Sequence, residues 1–173
     1  MNKLIFASMA VAGLAVAPTV ASAQDAAPFV GLSVGHHDLG VDDDTFDIDD
    51  SGIILGVVAG VDVPVGDTLF AGIEGNYHFG LDAIDNEFGI SGRLGVQSAN
   101  GAKYYVRGGY QEVDLDLEAV LDTELPEGLE DSEGDYLLGL GLELPVGNAA
   151  FRANVDTIAF DSLRLTTGVV FSF

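Results

Sequence analysis

Six aspartates lie within nine residues in the first third of the chain, a density of carboxylates that suits a divalent cation. They are Asp42, Asp43, Asp44, Asp47, Asp49 and Asp50. Carboxylate oxygens are the ligands that Ca²⁺ and Mg²⁺ prefer, but this spacing does not match an EF-hand loop. A solvated acidic loop is the simpler interpretation. We therefore expect no cofactor, and weak Ca²⁺ or Mg²⁺ binding at these six residues is the alternative.

The three histidines, His36, His37 and His78, are the side chains best suited to acid–base chemistry near neutral pH. No serine stands at a sequence spacing from them that indicates an activated nucleophile. The sequence therefore does not predict an enzyme. His78 follows Glu74 and Asn76 at alternate positions, and we expect it to form hydrogen bonds inside the molecule.

All the arginines of the chain fall on the polar face of segments whose other face is apolar. They are Arg93, Arg107, Arg152 and Arg164. The same parity places acidic and amide side chains beside them: Asp62, Glu74, Asn76, Glu87, Glu143, Asn154 and Asp156. A buried charge is costly unless it is paired. We therefore predict interior ion pairs, in a polar network of Glu74, Arg93, Arg107, Glu143, Arg152, Asp156 and Arg164.

Eight segments of about ten residues carry this alternation of apolar and polar positions, which is typical of half-buried β-strands. They are Phe29 to Gly40, Gly52 to Val63, Thr68 to Gly80, Asn86 to Gln97, Lys103 to Glu112, Asp135 to Leu144, Ala150 to Ile158, and Leu163 to Phe173. Tight turns alternate with acidic loops of variable length between them. This asymmetry is expected of a transmembrane β-barrel, which has short turns at one end and longer loops at the other.

The polar inner face decides against an exported lipocalin-like barrel, whose ligand cavity needs an apolar lining. An eight-stranded barrel is only wide enough for side chains to fill it.

Beyond Tyr110 the fifth segment inverts its pattern, with Glu112 and Asp114 on the formerly apolar side and Val113 inside. We expect the bilayer to end near Tyr110, because charge does not face hydrocarbon.

The two ends of the chain indicate export. Lys3, an apolar run of about 13 residues and the sequence Ala21-Ser22-Ala23 predict a signal peptide over residues 1–23, which leaves one domain over residues 24–173. That run is shorter than the roughly 20 residues of a spanning helix. There is no cysteine, so no disulfide contributes to stability.

The last segment ends on a carboxy-terminal phenylalanine, and in this it resembles the closing strand of bacterial outer-membrane β-barrels. With the other segments it resembles the small outer-membrane barrel family that includes the opacity proteins and the transmembrane domain of outer-membrane protein A. The resemblance implies an all-β, eight-stranded, antiparallel up-and-down barrel in the outer membrane, monomeric, with both termini periplasmic. It also implies that Phe171 and Phe173 address the chain to the barrel-assembly machinery.

Family members serve as membrane anchors, adhesins or narrow pores, so the resemblance leaves the activity open. A lumen plugged by paired charges predicts a structural or surface-interaction role, and a narrow pore for small ions or solutes is the alternative. A lipid A-modifying enzyme is less consistent with the chain, because the His-x-Ser arrangement of the deacylases is missing. We expect outer-membrane lipids as partners, and no surface partner can be named.

The charge of the chain excludes nucleic acid as a partner. Lys3 is one of only six basic residues and leaves with the signal peptide, so five remain against 28 acidic residues. Phosphate contacts need clustered Lys and Arg. Disorder, which such acidity could also indicate, is contradicted by an apolar content of 48%.

Overall fold

The computed structural model describes residues 26–40, 51–81, 84–115 and 132–173, which form eight β-strands. Their bounds are β1 Ala27–Asp38, β2 Ser51–Pro64, β3 Leu69–Gly80, β4 Ile84–Gln97, β5 Lys103–Leu115, β6 Ser132–Val146, β7 Ala149–Ile158 and β8 Ser162–Ser172. Each of the eight predicted segments is a strand. The largest differences are at the ends of β5 and β6, which extend to Leu115 and begin at Ser132. The predicted signal peptide and all six aspartates of the candidate metal cluster lie outside the described residues.

Every strand pairs antiparallel with the next, and β8 pairs with β1 to close the barrel. In the closing pair Val30 lies opposite Phe171 and Asp38 lies opposite Leu163. Closure gives every strand a neighbour on both sides, which is what a sheet in hydrocarbon requires because no water is available to satisfy a free edge. The structure confirms the predicted all-β, eight-stranded antiparallel barrel.

The outer face is apolar. Leu32, Ile90 and Leu140 are each more than 60% exposed, and they lie on β1, β4 and β6 around the barrel. Strands of 10 to 15 residues are long enough to cross a bilayer, because a tilted strand needs roughly 9–11 residues. None of the described residues forms a helix long and apolar enough to span a membrane.

Glycines on the inner face leave room for large polar side chains. A Cβ atom on Gly139 would lie 2.0 Å from Oδ1 of Asp156, and one on Gly141 would lie 2.1 Å from the ring of Tyr105. Both neighbours are buried. The small residues of β6 therefore allow the wide side chains of β5 and β7 to enter the lumen.

We call the end of the barrel that carries residues 65–68, 98–102 and 147–148 the turn end, and the opposite end the loop end. At the loop end, Val113 is buried against Ile54 and Ile84. Its inward position agrees with the predicted inversion of β5. The connection from β7 to β8 is also at the loop end, and Phe160 there has a φ of 68°, a conformation that is costly for a bulky residue.

Candidate functional site in the barrel lumen

A guanidinium held by acids and aromatic rings occupies the turn end of the lumen. The Nε and Nη2 atoms of Arg93 donate to the two carboxylate oxygens of Asp62, at 2.8 and 2.7 Å. The ring centroids of Phe29 and Tyr105 each lie 4.5 Å from the Arg93 guanidinium carbon. Lys103 reaches the same Asp62 carboxylate at 2.6 Å. Bidentate pairing and ring contacts suit the flat guanidinium group and hold it across the lumen.

Three arginines share one carboxylate in the middle of the lumen. Glu74 is 2% exposed, and its oxygens lie 3.2 Å from Arg93, 3.1 Å from Arg107 and 2.5 Å from Arg152. Arg152 also donates to Glu143 at 2.7 Å. The residue spacing of a single strand cannot produce this arrangement, because Glu74 is on β3 and its partners are on β4, β5 and β7.

A second carboxylate organises the loop end. Glu87 accepts a hydrogen bond from Arg164 at 2.6 Å, and its two oxygens lie 2.9 Å from His37 Nδ1 and 3.1 Å from His78 Nδ1. Arg164 also pairs with Asp156 at 3.1 Å. All of these side chains are buried, so their charges are neutralised by one another rather than by bulk water.

Each of the two histidines has a serine on its other ring nitrogen. Nε2 of His37 lies 3.3 Å from the hydroxyl of Ser162, and Nε2 of His78 lies 2.9 Å from the hydroxyl of Ser33. With Glu87 this makes two serine–histidine–carboxylate chains that share one acid. Sequence spacing did not indicate them, because Ser162 is 125 residues from His37.

The structure brings the whole predicted polar network into the lumen. Its members form the two carboxylate-centred groups described above: Glu74, Arg93, Arg107, Glu143, Arg152, Asp156 and Arg164. Sequence reasoning did not include His37, Lys103 or Gln111. Strand parity could have found them, because His37 alternates with Ser33 on β1, and Lys103 and Gln111 alternate with Arg107 on β5. Gln111 exchanges two hydrogen bonds with Asn76, at 3.1 and 3.2 Å.

A small cavity lies between these groups. A cavity of about 10 Å³ lies among Arg107, Arg152, Arg164 and His78, which is close to the smallest volume that holds one water molecule. Among the described residues, no three His, Cys, Asp or Glu side chains are arranged to hold a metal ion.

Comparison with known proteins shows the fold. No family model matches the sequence, and no curated protein matches it. Several solved structures are similar. The Neisserial surface protein A has a TM-score of 0.54 at 12% identity, over 86% of this chain and 97% of that one. The attachment invasion locus protein Ail of Yersinia pestis has a TM-score of 0.52 at 13% identity, over 86% of this chain and 97% of Ail. A designed transmembrane β-barrel has a TM-score of 0.51 at 16% identity, over 85% of this chain and 95% of the design. This chain therefore has the fold of small transmembrane β-barrels.

Proposed function

We propose that this protein is a barrel of the bacterial outer membrane, with both termini in the periplasm, and that its role is structural or is exerted by binding at the cell surface. The apolar outer face, the closed sheet and the similarity to small transmembrane barrels support a membrane location. The predicted signal peptide and the carboxy-terminal Phe173 favour the outer membrane. In this proposal the lumen is sealed by its ion pairs and does not conduct.

The main support for a sealed lumen is a pair of ionic contacts between opposite walls of the barrel. In a closed barrel of eight strands, β3 faces β7 and β4 faces β8. Arg152 on β7 reaches Glu74 on β3 at 2.5 Å, and Arg164 on β8 reaches Glu87 on β4 at 2.6 Å. Each pair crosses the full width of the lumen. An ion on its way through must therefore break two buried pairs in series, and removing one partner from such a pair costs about 3–5 kcal/mol.

A narrow channel is the second candidate, and the observation in its favour is the polarity of the whole lumen. The sealing groups are long side chains without covalent links, so a change of rotamer in both Arg152 and Arg164 opens a polar path. The two candidates differ in one measurable property, the conductance of the folded barrel.

The serine–histidine–carboxylate chains do not lead us to propose an enzyme. His37 is fully buried, and the hydroxyl of Ser162 already donates to the carbonyl oxygen of Ile158 at 3.0 Å. A nucleophilic serine needs its substrate carbonyl within reach. The lumen cavity has space for one small molecule and none for an acyl chain, so we interpret both chains as structural hydrogen bonds.

The expected partners follow from the surfaces of the barrel. Lipid acyl chains suit the apolar wall. Phe171 and Phe173 are 48% and 74% exposed, and so both are accessible to the barrel-assembly machinery. Ail has been solved with the heparin analogue sucrose octasulfate. This chain carries 28 acidic residues against six basic ones, so we expect its surface to repel such polyanions and to bind divalent cations weakly through Asp42, Asp43, Asp44, Asp47, Asp49 and Asp50.

Ion conductance across a planar lipid bilayer tests the proposed function. The refolded mature protein is added to the bilayer, and a heat-dependent gel shift on the same sample shows that the barrel is folded. We expect a folded and silent protein, and conductance in the double variant Arg152→Ala with Arg164→Ala, which lacks both crossing contacts. Discrete conductance steps from the unmodified protein would overturn the sealed lumen and favour the channel.

A further inference from the structure

Apolar side chains occupy the lumen at its loop end. Ile54, Ile84 and Val113 are 0%, 1% and 6% exposed and form one cluster, and Leu39 packs against them. We call Leu39, Ile54, Ile84 and Val113 the apolar layer. They lie on β2, β4 and β5 and just beyond the end of β1, so side chains from separate parts of the wall meet inside the barrel.

The apolar layer lies between the second carboxylate group and the loop end. On three strands a residue of the layer is nearer the loop end than a polar residue of the lumen: Leu39 after His37 on β1, Val113 after Gln111 on β5, and Ile84 before Glu87 on β4. Val113 is also the cross-strand partner of Glu87. The three polar residues are 0% exposed, so the layer separates them from water at this end.

A β-bulge turns Ile84 into the lumen. The register between β4 and β5 shifts between Ile84 and Asn86. Strict alternation from the inward Glu87 would place Asp85 inside and Ile84 outside. With the shift, Ile84 is buried and Asp85 is exposed. A bulge disrupts the ladder locally and re-aims a side chain, and this one puts an apolar group where the alternation would put a carboxylate.

The ionic network meets water at the opposite end of the lumen. The side chain of Lys103 at the turn end is 14% exposed, and those of its partners Asp62 and Glu143 are 4% and 5% exposed. At the loop end, the side chains of Glu87 and Arg164 are 0% and 1% exposed. The two ends of the lumen therefore differ in their access to water.

We propose that the apolar layer is the barrier to water and ions on the loop side of the lumen, and that the polar network is hydrated from the turn end alone. An ion must lose its hydration water to enter an apolar constriction, and such constrictions close by dewetting. With both termini in the periplasm, the orientation in our proposed function, this barrier faces the cell exterior. It is separate from the crossing ion pairs. An applied potential wets a short constriction, so the layer is compatible with conduction by the double arginine variant.

Proton exchange of the arginine side chains tests the layer. The arginines of the chain all lie in the lumen, so isotope-labelled arginine gives Nε–H signals from the lumen alone. Nε of Arg93 donates to Asp62 at the turn end, and Nε of Arg164 donates to Asp156 nearer the loop end. Exchange is followed by NMR after transfer of the folded barrel into deuterium oxide. Ile84→Ser should raise the exchange rate of Arg164 by at least about tenfold, which corresponds to about 1.4 kcal/mol, and should leave that of Arg93 unchanged.

Control variants separate a barrier from a purely structural role. Ile90→Ser makes the same change on the outer face of β4, where Ile90 is 65% exposed, and should alter neither rate. Val113→Thr keeps the shape of the side chain and adds a hydroxyl, and it covers the case in which Ile84→Ser fails to fold. If the substitutions in the layer leave Arg164 unchanged, or accelerate Arg93 and Arg164 equally as general destabilisation would, the proposal is wrong.

Conductance distinguishes this proposal from the sealing ion pairs. Ile84→Ser should be silent in a planar bilayer, because both crossing pairs remain. Conductance in this variant would support the layer as the barrier and count against the ion pairs as the seal. A silent barrel in which Ile84→Ser and Val113→Thr both leave the exchange of Arg164 unchanged would overturn the layer and leave the sealing ion pairs intact.

Discussion

Replacing Glu74 by glutamine should destabilise the barrel more than any exposed substitution of the same type. Glutamine keeps the size of the side chain and removes its charge. Three arginines contact this carboxylate, and two of them keep another acid after the change: Arg93 retains Asp62 at 2.7 Å, and Arg152 retains Glu143 at 2.7 Å. Arg107 retains only a contact of 3.4 Å with Asp156. The loss therefore falls mainly on Arg107.

The magnitude follows from the burial of these groups. Glu74 is 2% exposed and Arg107 is 4% exposed, and removing one partner of a buried ion pair costs about 3–5 kcal/mol. The two remaining acids reduce this, so we expect a loss of about 3 kcal/mol. That loss lowers the folding equilibrium constant by roughly a hundredfold.

Equilibrium unfolding in urea measures this loss, with the protein in lipid vesicles. Tyrosine fluorescence is the signal, because the chain has no tryptophan. Asp67→Asn makes the same change from acid to amide in an exposed turn, and we expect it to stay within about 0.5 kcal/mol of the unmodified protein. The double variant Glu74→Gln with Arg107→Met should lose at least about 1 kcal/mol less than the sum of the single variants, because neither charge is then left alone.

Two results would refute this reasoning. If Glu74→Gln unfolds at the same urea concentration as Asp67→Asn, the shared carboxylate does not stabilise the barrel. If the free energies of the two single variants add in the double variant, Glu74 and Arg107 are not coupled and the contact of 3.1 Å between them has no energetic effect.

Three further predictions concern other parts of the barrel. Gly141→Ala places a methyl group against the buried ring of Tyr105 and should lower the unfolding free energy by about 1–3 kcal/mol. The outward Gly92→Ala, with no atom nearer than 3.9 Å, should lower it by less than about 1 kcal/mol. Equal urea midpoints for the two variants would contradict the close packing. Phe160→Gly should raise the unfolding free energy by about 1 kcal/mol, because glycine adopts the φ of 68° without strain. A lower urea midpoint would show that the phenyl ring contributes more to stability than the backbone strain costs. Deleting Phe173 should slow assembly of the barrel in the outer membrane of cells and leave its refolding into detergent unchanged. A gel shift measures the folded fraction in both settings. Unchanged assembly in cells would argue against a signal at the carboxy terminus.

The alternation of residue types determined most of the fold at the level of the sequence. Successive side chains of a strand point to opposite faces, so parity alone assigned Arg93, Arg107, Arg152 and Arg164 to one face without any knowledge of pairing. The inversion at Val113 followed from the same rule. The ends of strands were less predictable: Ser132 to Gly134 continue β6 although the sequence there is acidic, because pairing with β5 holds the backbone extended.

Only the tertiary structure decided which charges meet. Strand parity places a residue on a face but gives neither its height in the barrel nor the strand opposite to it, since both depend on the register of all eight strands and on closure between β1 and β8. For that reason the sharing of Glu74 by three arginines, and the meeting of His37 with Ser162 over 125 residues, had no signal in the sequence. The sequence by itself determined that the lumen is charged, because side-chain direction is a local property of a strand. The barrel decided that these charges meet across the lumen, because partners on opposite walls are brought together only when the last strand pairs with the first.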